Sequence, residues 1–89
     1  MRIISGFVLR TVAGEQVVGG ESVAQLNFNK LISLNSSAAY LWESVVGREF
    51  SVDDLADLLV ERYEIDRALA LSDGSAIAQS WISVGLVEL

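Results

Sequence analysis

The 89-residue chain contains no cysteine and no histidine. Without cysteine, no disulfide staples the fold and no thiolate can hold a metal ion. A small secreted domain without such staples would be unusual. Without histidine, proton transfer near neutral pH would fall to perturbed carboxylates, Tyr40, Tyr63 or Lys30. Bases are also few. Arg2, Arg10, Lys30, Arg48, Arg62 and Arg67 are scattered singly among 12 acidic side chains, for a net charge of −6. Nucleic acid is therefore not an expected partner, because phosphate binding needs clustered bases that release counterions. Anionic membrane surfaces are disfavoured for the same reason. No stretch approaches the roughly 18 apolar residues of a bilayer span. Met1 to Gly6 has a single charge and a short apolar run, too little for a signal peptide. A cytoplasmic protein is expected.

The side chains that remain do not assemble into a catalytic motif. Serines are plentiful, yet none has a candidate base, and Gly-x-Ser-x-Gly does not occur. Asp53 and Asp54 are adjacent, so on a helix they point in different directions. Their simplest role is to favour the positive end of the helix dipole. Glu61, Glu64 and Asp66 read as a solvated face without calcium-loop spacing. No enzyme, cofactor or metal site is expected. What is abundant is apolar surface. The 52% hydrophobic fraction offsets the limits of a short chain, which buries only about 60–65% of its unfolded surface. One domain spanning residues 1–89 is expected.

The first third of the chain has the pattern of strands. Phe7 to Val12 and Glu15 to Val18 flank Ala13-Gly14, the arrangement of a hairpin. Gly19-Gly20-Glu21-Ser22 is expected to be a turn that breaks the second strand. It lacks the lysine of a phosphate-binding loop. Leu26 to Asn29 alternates apolar with polar, and a bulge or tight turn near Asn29-Lys30 would lead into a third strand, Leu31-Ile32-Ser33-Leu34.

Helical spacing takes over at Asn35, a good N-cap. Ala38, Leu41, Trp42 and Val45 share one face of the first helix, and Gly47 is placed to end it. Ser51 and Asp54 resemble a capping box for the second helix, with Phe50 and Leu55 at the flanking staple positions. Its apolar face is Val52, Leu55, Leu58, Leu59 and Tyr63. Asp66 can cap a third helix, with Leu71, Ile77, Ala78, Trp81 and Ile82 on one face and Gly85 at its end. Gly74 lies inside that helix and should cost about 1 kcal/mol relative to alanine, which predicts a weak or kinked first half. Leu86 to Leu89 either forms a short final strand or docks. The order predicts an α+β fold, a three-stranded antiparallel sheet followed by three helices, close to a winged helix-turn-helix. Trp42 and Trp81 both fall on apolar faces, which suits core packing, although tryptophan also serves as an interface anchor.

The sequence from Leu31 to Asn35, the small residues Ser36 to Ala39 and then Leu41-Trp42-Glu43 resembles the central signature of the PqqD family, also known as recognition elements for ribosomally made, post-translationally modified peptides. Val52-Asp53-Asp54-Leu55-Ala56, Leu59 and Tyr63 are similar to the family's second helix. Asp73, Ile77, Trp81 and Gly85-Leu86-Val87 are similar to its third helix and exit. The resemblance spans Phe7 to Val87. It departs at Gly74 and Ala78, where the family usually has larger apolar residues, and at Trp81, where it usually has leucine.

The resemblance implies that the chain binds the leader segment of a precursor peptide and presents it to a modifying enzyme, often a radical-SAM maturase, in the biosynthesis of pyrroloquinoline quinone or another modified peptide. It also implies that the leader adds as a strand to Leu31, Ile32, Ser33 and Leu34 and lies against the third helix. Asp73, Ile77, Ser80 and Trp81 are the expected contacts there. The physics of an open strand edge is consistent with this, since strand addition gains affinity through main-chain groups. Two other classes compete with this reading. A nucleic-acid-binding winged helix would want bases on its recognition helix, yet residues 66–83 offer only Arg67 against Asp66 and Asp73. A structural or oligomerisation domain would show a large self-complementary apolar patch and no peptide affinity. The sequence leaves the oligomeric state, the precursor and the maturase open.

Overall fold

In the computed structural model, which describes residues 1–20 and 31–89, the order of elements is β1 (Arg2–Ile3), β2 (Phe7–Val12), β3 (Glu15–Gly20), β4 (Ile32–Leu34), α1 (Ser36–Val45), α2 (Val52–Tyr63), α3 (Arg67–Ser83) and β5 (Val87–Glu88). The sheet β2-β3-β4 is antiparallel, and β1 pairs separately with β5. The fold is α+β, with the three strands before the three helices. The alternation at Leu26 to Asn29, the bulge near Asn29-Lys30 and the Glu21-Ser22 part of the expected turn lie outside the described residues.

Ala13 and Gly14 both have positive φ, 52° and 84°, so β2 and β3 are closed by a two-residue type I′ turn. Gly14 takes that conformation freely, whereas Ala13 carries its steric cost. The expected break at Gly19-Gly20 is corrected. Both glycines belong to β3, opposite Val8 and Phe7. Gly19 keeps its place in the sheet while leaving room for Leu31, whose Cδ2 lies 2.6 Å from where a Cβ would stand. Adjacent glycines therefore marked a close approach here and not a turn.

The caps follow the sequence closely at two helices. Asn35 accepts from the Ala38 amide at 2.9 Å. Ser51 and Asp54 form a reciprocal capping box, and Phe50 and Leu55 are buried beside it. At α3 the position of Asp66 is as expected, but its side chain makes no capping bond. The exit of α3 is a Schellman motif. Gly85 at φ 81° donates to the Ile82 carbonyl and Leu86 donates to the Trp81 carbonyl. This turn buries Leu86 and delivers Val87 to its partner Ile3 in the β1–β5 pair.

The core joins all three helices to the sheet. Leu41, Trp42 and Val45 meet Leu55, Leu59, Trp81, Leu86 and Val18. The face expected for α1 is fully buried. The faces expected for the other two helices hold in part, at Leu55 and Leu59 of α2 and at Ala78 and Trp81 of α3, and are otherwise corrected. On α2, Leu55, Ala56 and Leu59 are buried, while Tyr63 is 39% exposed. On α3 the buried residues are Ala70, Gly74, Ala78 and Trp81, and Leu71, Ile77 and Ile82 are only half-buried at its flanks. The physical reason is close packing. A Cβ on Gly74 would stand 3.3 Å from Leu55 Cβ and 3.5 Å from the Ala56 nitrogen. Small side chains on α3 let α2 come near, and α3 runs as a continuous helix through Gly74. The larger Trp81 then fills the space beyond, edge-on to Trp42 at 5.5 Å and to Phe50 at 6.2 Å.

Candidate functional site

β4 is the last strand of its sheet among the described residues, bonded to β3 on one side. The hairpin turn determines which of its backbone groups face outward. Val12 and Glu15 flank a two-residue loop, so they exchange both main-chain hydrogen bonds. Alternation then directs the N–H and C=O of Gln16 and Val18 away from β2 and towards β4. Their partners are Leu34 and Ile32, and Val17 stands opposite Ser33. Ile32 and Leu34 therefore bond inward, and the N–H and C=O of Ser33 face the open edge. The side chains follow the pleat. Ile32 and Leu34 are half-buried against the core, and Ser33 is exposed. Leu31 lies just before the strand and is 50% exposed.

The chain leaves β4 directly into a cleft. Asn35 and Ser37 at the start of α1 form one wall, and Asp73, Ala76 and Ile77 of α3 form another. Leu59 and Tyr63 of α2 and Ile65 of the α2–α3 connection complete it, enclosing about 430 Å³. The aromatic wall is braced from behind. Tyr63 meets Tyr40 edge-on at 6.4 Å, and the Arg62 guanidinium lies over the Tyr40 ring at 4.5 Å. Asp73 is exposed and Ile77 half-buried, so one offers charge and the other apolar surface.

The residues singled out from the sequence divide by location. Ile32, Ser33 and Leu34 form β4, with Leu31 next to it. Asp73 and Ile77 line the cleft. Ser80, exposed, lies one helical turn beyond Ile77. Trp81 is corrected. At 2% exposure it is a core residue between Trp42 and Phe50 and has almost no surface for a ligand. The sequence reading missed Asn35, Ser37, Tyr63, Ile65 and Ala76 as cleft residues. Helical spacing puts Tyr63 on the buried face of α2. Asn35 and Ser37 carried only a capping signal. Ile65 sits in a connection where no periodicity applies.

The site contains no pair of groups arranged as nucleophile and base. What it offers is the outward N–H and C=O of Ser33, continued by an apolar cleft with one carboxylate. That combination suits recognition of an extended chain. No helix among the described residues is long and apolar enough to cross a membrane.

Comparison with known proteins gives two findings. A family model described as coenzyme PQQ synthesis protein D (PqqD) matches residues 18–87. The fold is similar to that of a solved structure described as TbiB1 in complex with the TbiA(beta) leader peptide, with a TM-score of 0.73 and 16% sequence identity, over 99% of this chain and 95% of that one. No curated protein matches in sequence.

Proposed function

Because the chain belongs to the PqqD family, we propose that it binds the leader segment of a ribosomally made precursor peptide by strand addition to β4 and presents it to a peptide-modifying enzyme, such as a radical-SAM maturase. The observation that carries this is the open edge at Ser33 running into the α3 cleft. The solved TbiB1 structure of similar fold was obtained with a leader peptide, which supports the same class of ligand. The absence of a catalytic constellation from the cleft suits a module that presents a substrate and leaves the chemistry to a partner.

The sheet is antiparallel throughout β2, β3 and β4. A leader that continued this pattern would run opposite to β4. The chain direction of β4 points to the cleft, because Asn35 follows Leu34 and lines it. Residues N-terminal to the paired segment of the leader would therefore reach Ile77 and Tyr63. Affinity would come from the main chain at Ser33, and selectivity from side chains seated in the cleft.

The test is titration of the ¹⁵N-labelled chain with leader peptides from precursors encoded near its gene, followed by amide chemical shifts. Shifts should concentrate on residues 31–35 and on α3 around Asp73 to Ser80. A response confined to the β2–β3 hairpin, with β4 silent, would place the ligand elsewhere and sink the proposal.

A further inference from the structure

We infer that the cleft selects a peptide carrying lysine or arginine next to the bulky apolar residue it seats, with Asp73 as the group that reads the positive charge. This deepens, and rests on, the reading of β4 and the cleft as a peptide site. The cleft walls supply apolar contact from Tyr63, Ile65 and Ile77, and Asp73 is the one carboxylate among its described lining residues. Among the described residues, no lysine or arginine lines the cleft. Asp73 has no ion-pair partner among the described residues.

Two bases near the cleft among the described residues are engaged elsewhere. Arg67 bridges Asp57 and Asp53, and the Arg62 guanidinium rests on the Tyr40 ring. Glu64 and Asp66 flank the lining residue Ile65, and both are exposed. Among the described residues, the unpaired charges on the lining and next to it in sequence are therefore negative. A peptide carboxylate entering there would be repelled, and a neutral polar residue could offer Asp73 a hydrogen bond but no opposite charge. A lysine or arginine would do two things at once. Its aliphatic stem can lie along Ala76 and Ile77 while its head reaches the carboxylate. Asp73 is exposed, so the attraction is that of a solvent-exposed ion pair.

The experiment selects short random peptides from a display library against three forms of the full chain: wild type, Asp73→Asn and Asp73→Lys. Wild type should enrich Lys or Arg beside a bulky apolar residue. Asp73→Lys should enrich Asp or Glu at the same place. A single wild-type-selected peptide should bind Asp73→Asn about two- to five-fold more weakly, the range of an exposed ion pair. That difference should shrink as salt is raised. Asp73 is exposed, so the variants should fold, and circular dichroism checks this. Selected peptides that depend on Ser33, tested with Ser33→Pro, but show no enrichment of bases would overturn the inference and leave the peptide site standing. The same holds if Asp73→Lys selects the same sequences as wild type. Failure to select any peptide, or binding indifferent to Ser33→Pro, would overturn both.

Discussion

An indole buried to 2% between two other aromatic rings contributes to stability and has little left for recognition. Trp81 is in that position, and its two possible roles separate cleanly by experiment. Trp81→Ala should cost about 3–5 kcal/mol, as for other buried large-to-small changes. Against a typical domain stability of about 5–15 kcal/mol, much of the chain could then unfold. Trp81→Phe keeps a ring in place and should lower the urea midpoint while leaving peptide affinity unchanged. A weaker Kd in a fully folded Trp81→Phe variant would return the residue to the site. Asn35 presents the opposite case, since it both caps α1 and lines the cleft. Asn35→Ala should cost about 1 kcal/mol of stability, measured by denaturant unfolding. Single residues were legible in the sequence where one local rule applied, as at Asn35, Ser51 and Asp54. They were less legible where two rules compete. Helical spacing cannot tell an aromatic anchor at a groove from one in the core, because both lie on an apolar face.

At the scale of elements, α2 and α3 pack through the small residues Ala70, Gly74 and Ala78. Local helix propensity counts Gly74 as a defect worth about 1 kcal/mol, but the neighbouring helix leaves little room for anything larger. Gly74→Ala should accordingly change stability little, since the gain in propensity is offset by contact with Leu55. Gly74→Leu should destabilise by about 1–3 kcal/mol through overpacking. Thermal unfolding of both variants checks the ranking, and a stabilised Gly74→Leu would contradict the close packing. This is why the boundaries of α3 were readable and its buried face only in part, at Ala78 and Trp81 but not at Ala70 and Gly74. Alanine and glycine carry almost no hydrophobic signal, and the need for them comes from α2. The glycine pair in β3 misled for a related reason, because closeness to Leu31 and a turn leave the same mark in the sequence. For β4, the register makes Ser33 the informative position. Ser33→Pro removes an outward N–H without removing a bond to β3. It should abolish leader binding while largely preserving the fold. Ile32→Pro or Leu34→Pro would remove an inward bond and should destabilise the sheet itself. Equal leader affinity for wild type and folded Ser33→Pro would rule out strand addition at this edge.

For the whole molecule, the deciding quantity is charge. The net charge of −6 is spread over a chain whose bases stand apart. A sheet with three helices also occurs in proteins that read nucleic acid, and fold alone does not separate the two uses. Charge does. A duplex presents a dense row of phosphates, and affinity for it depends on the number of Lys and Arg that replace its counterions. α3 is the helix that would have to serve as a reader, and its one base is Arg67. That guanidinium is already paired with Asp57 and Asp53 of α2. Using it on a phosphate would break those pairs and bring two carboxylates close to the backbone of the duplex. Asp73, on the same helix, adds a third. No specific affinity for DNA is expected, and non-specific binding should be feeble even at low salt, where such contacts are strongest. Fluorescence anisotropy with labelled duplexes at low ionic strength makes the test as permissive as possible. A salt-sensitive, sub-micromolar signal there would mean that the acidic surface does not govern partner choice. Silence with duplexes, together with saturable binding of a leader peptide at the same salt, would show that this acidic chain recognises peptide and not nucleic acid.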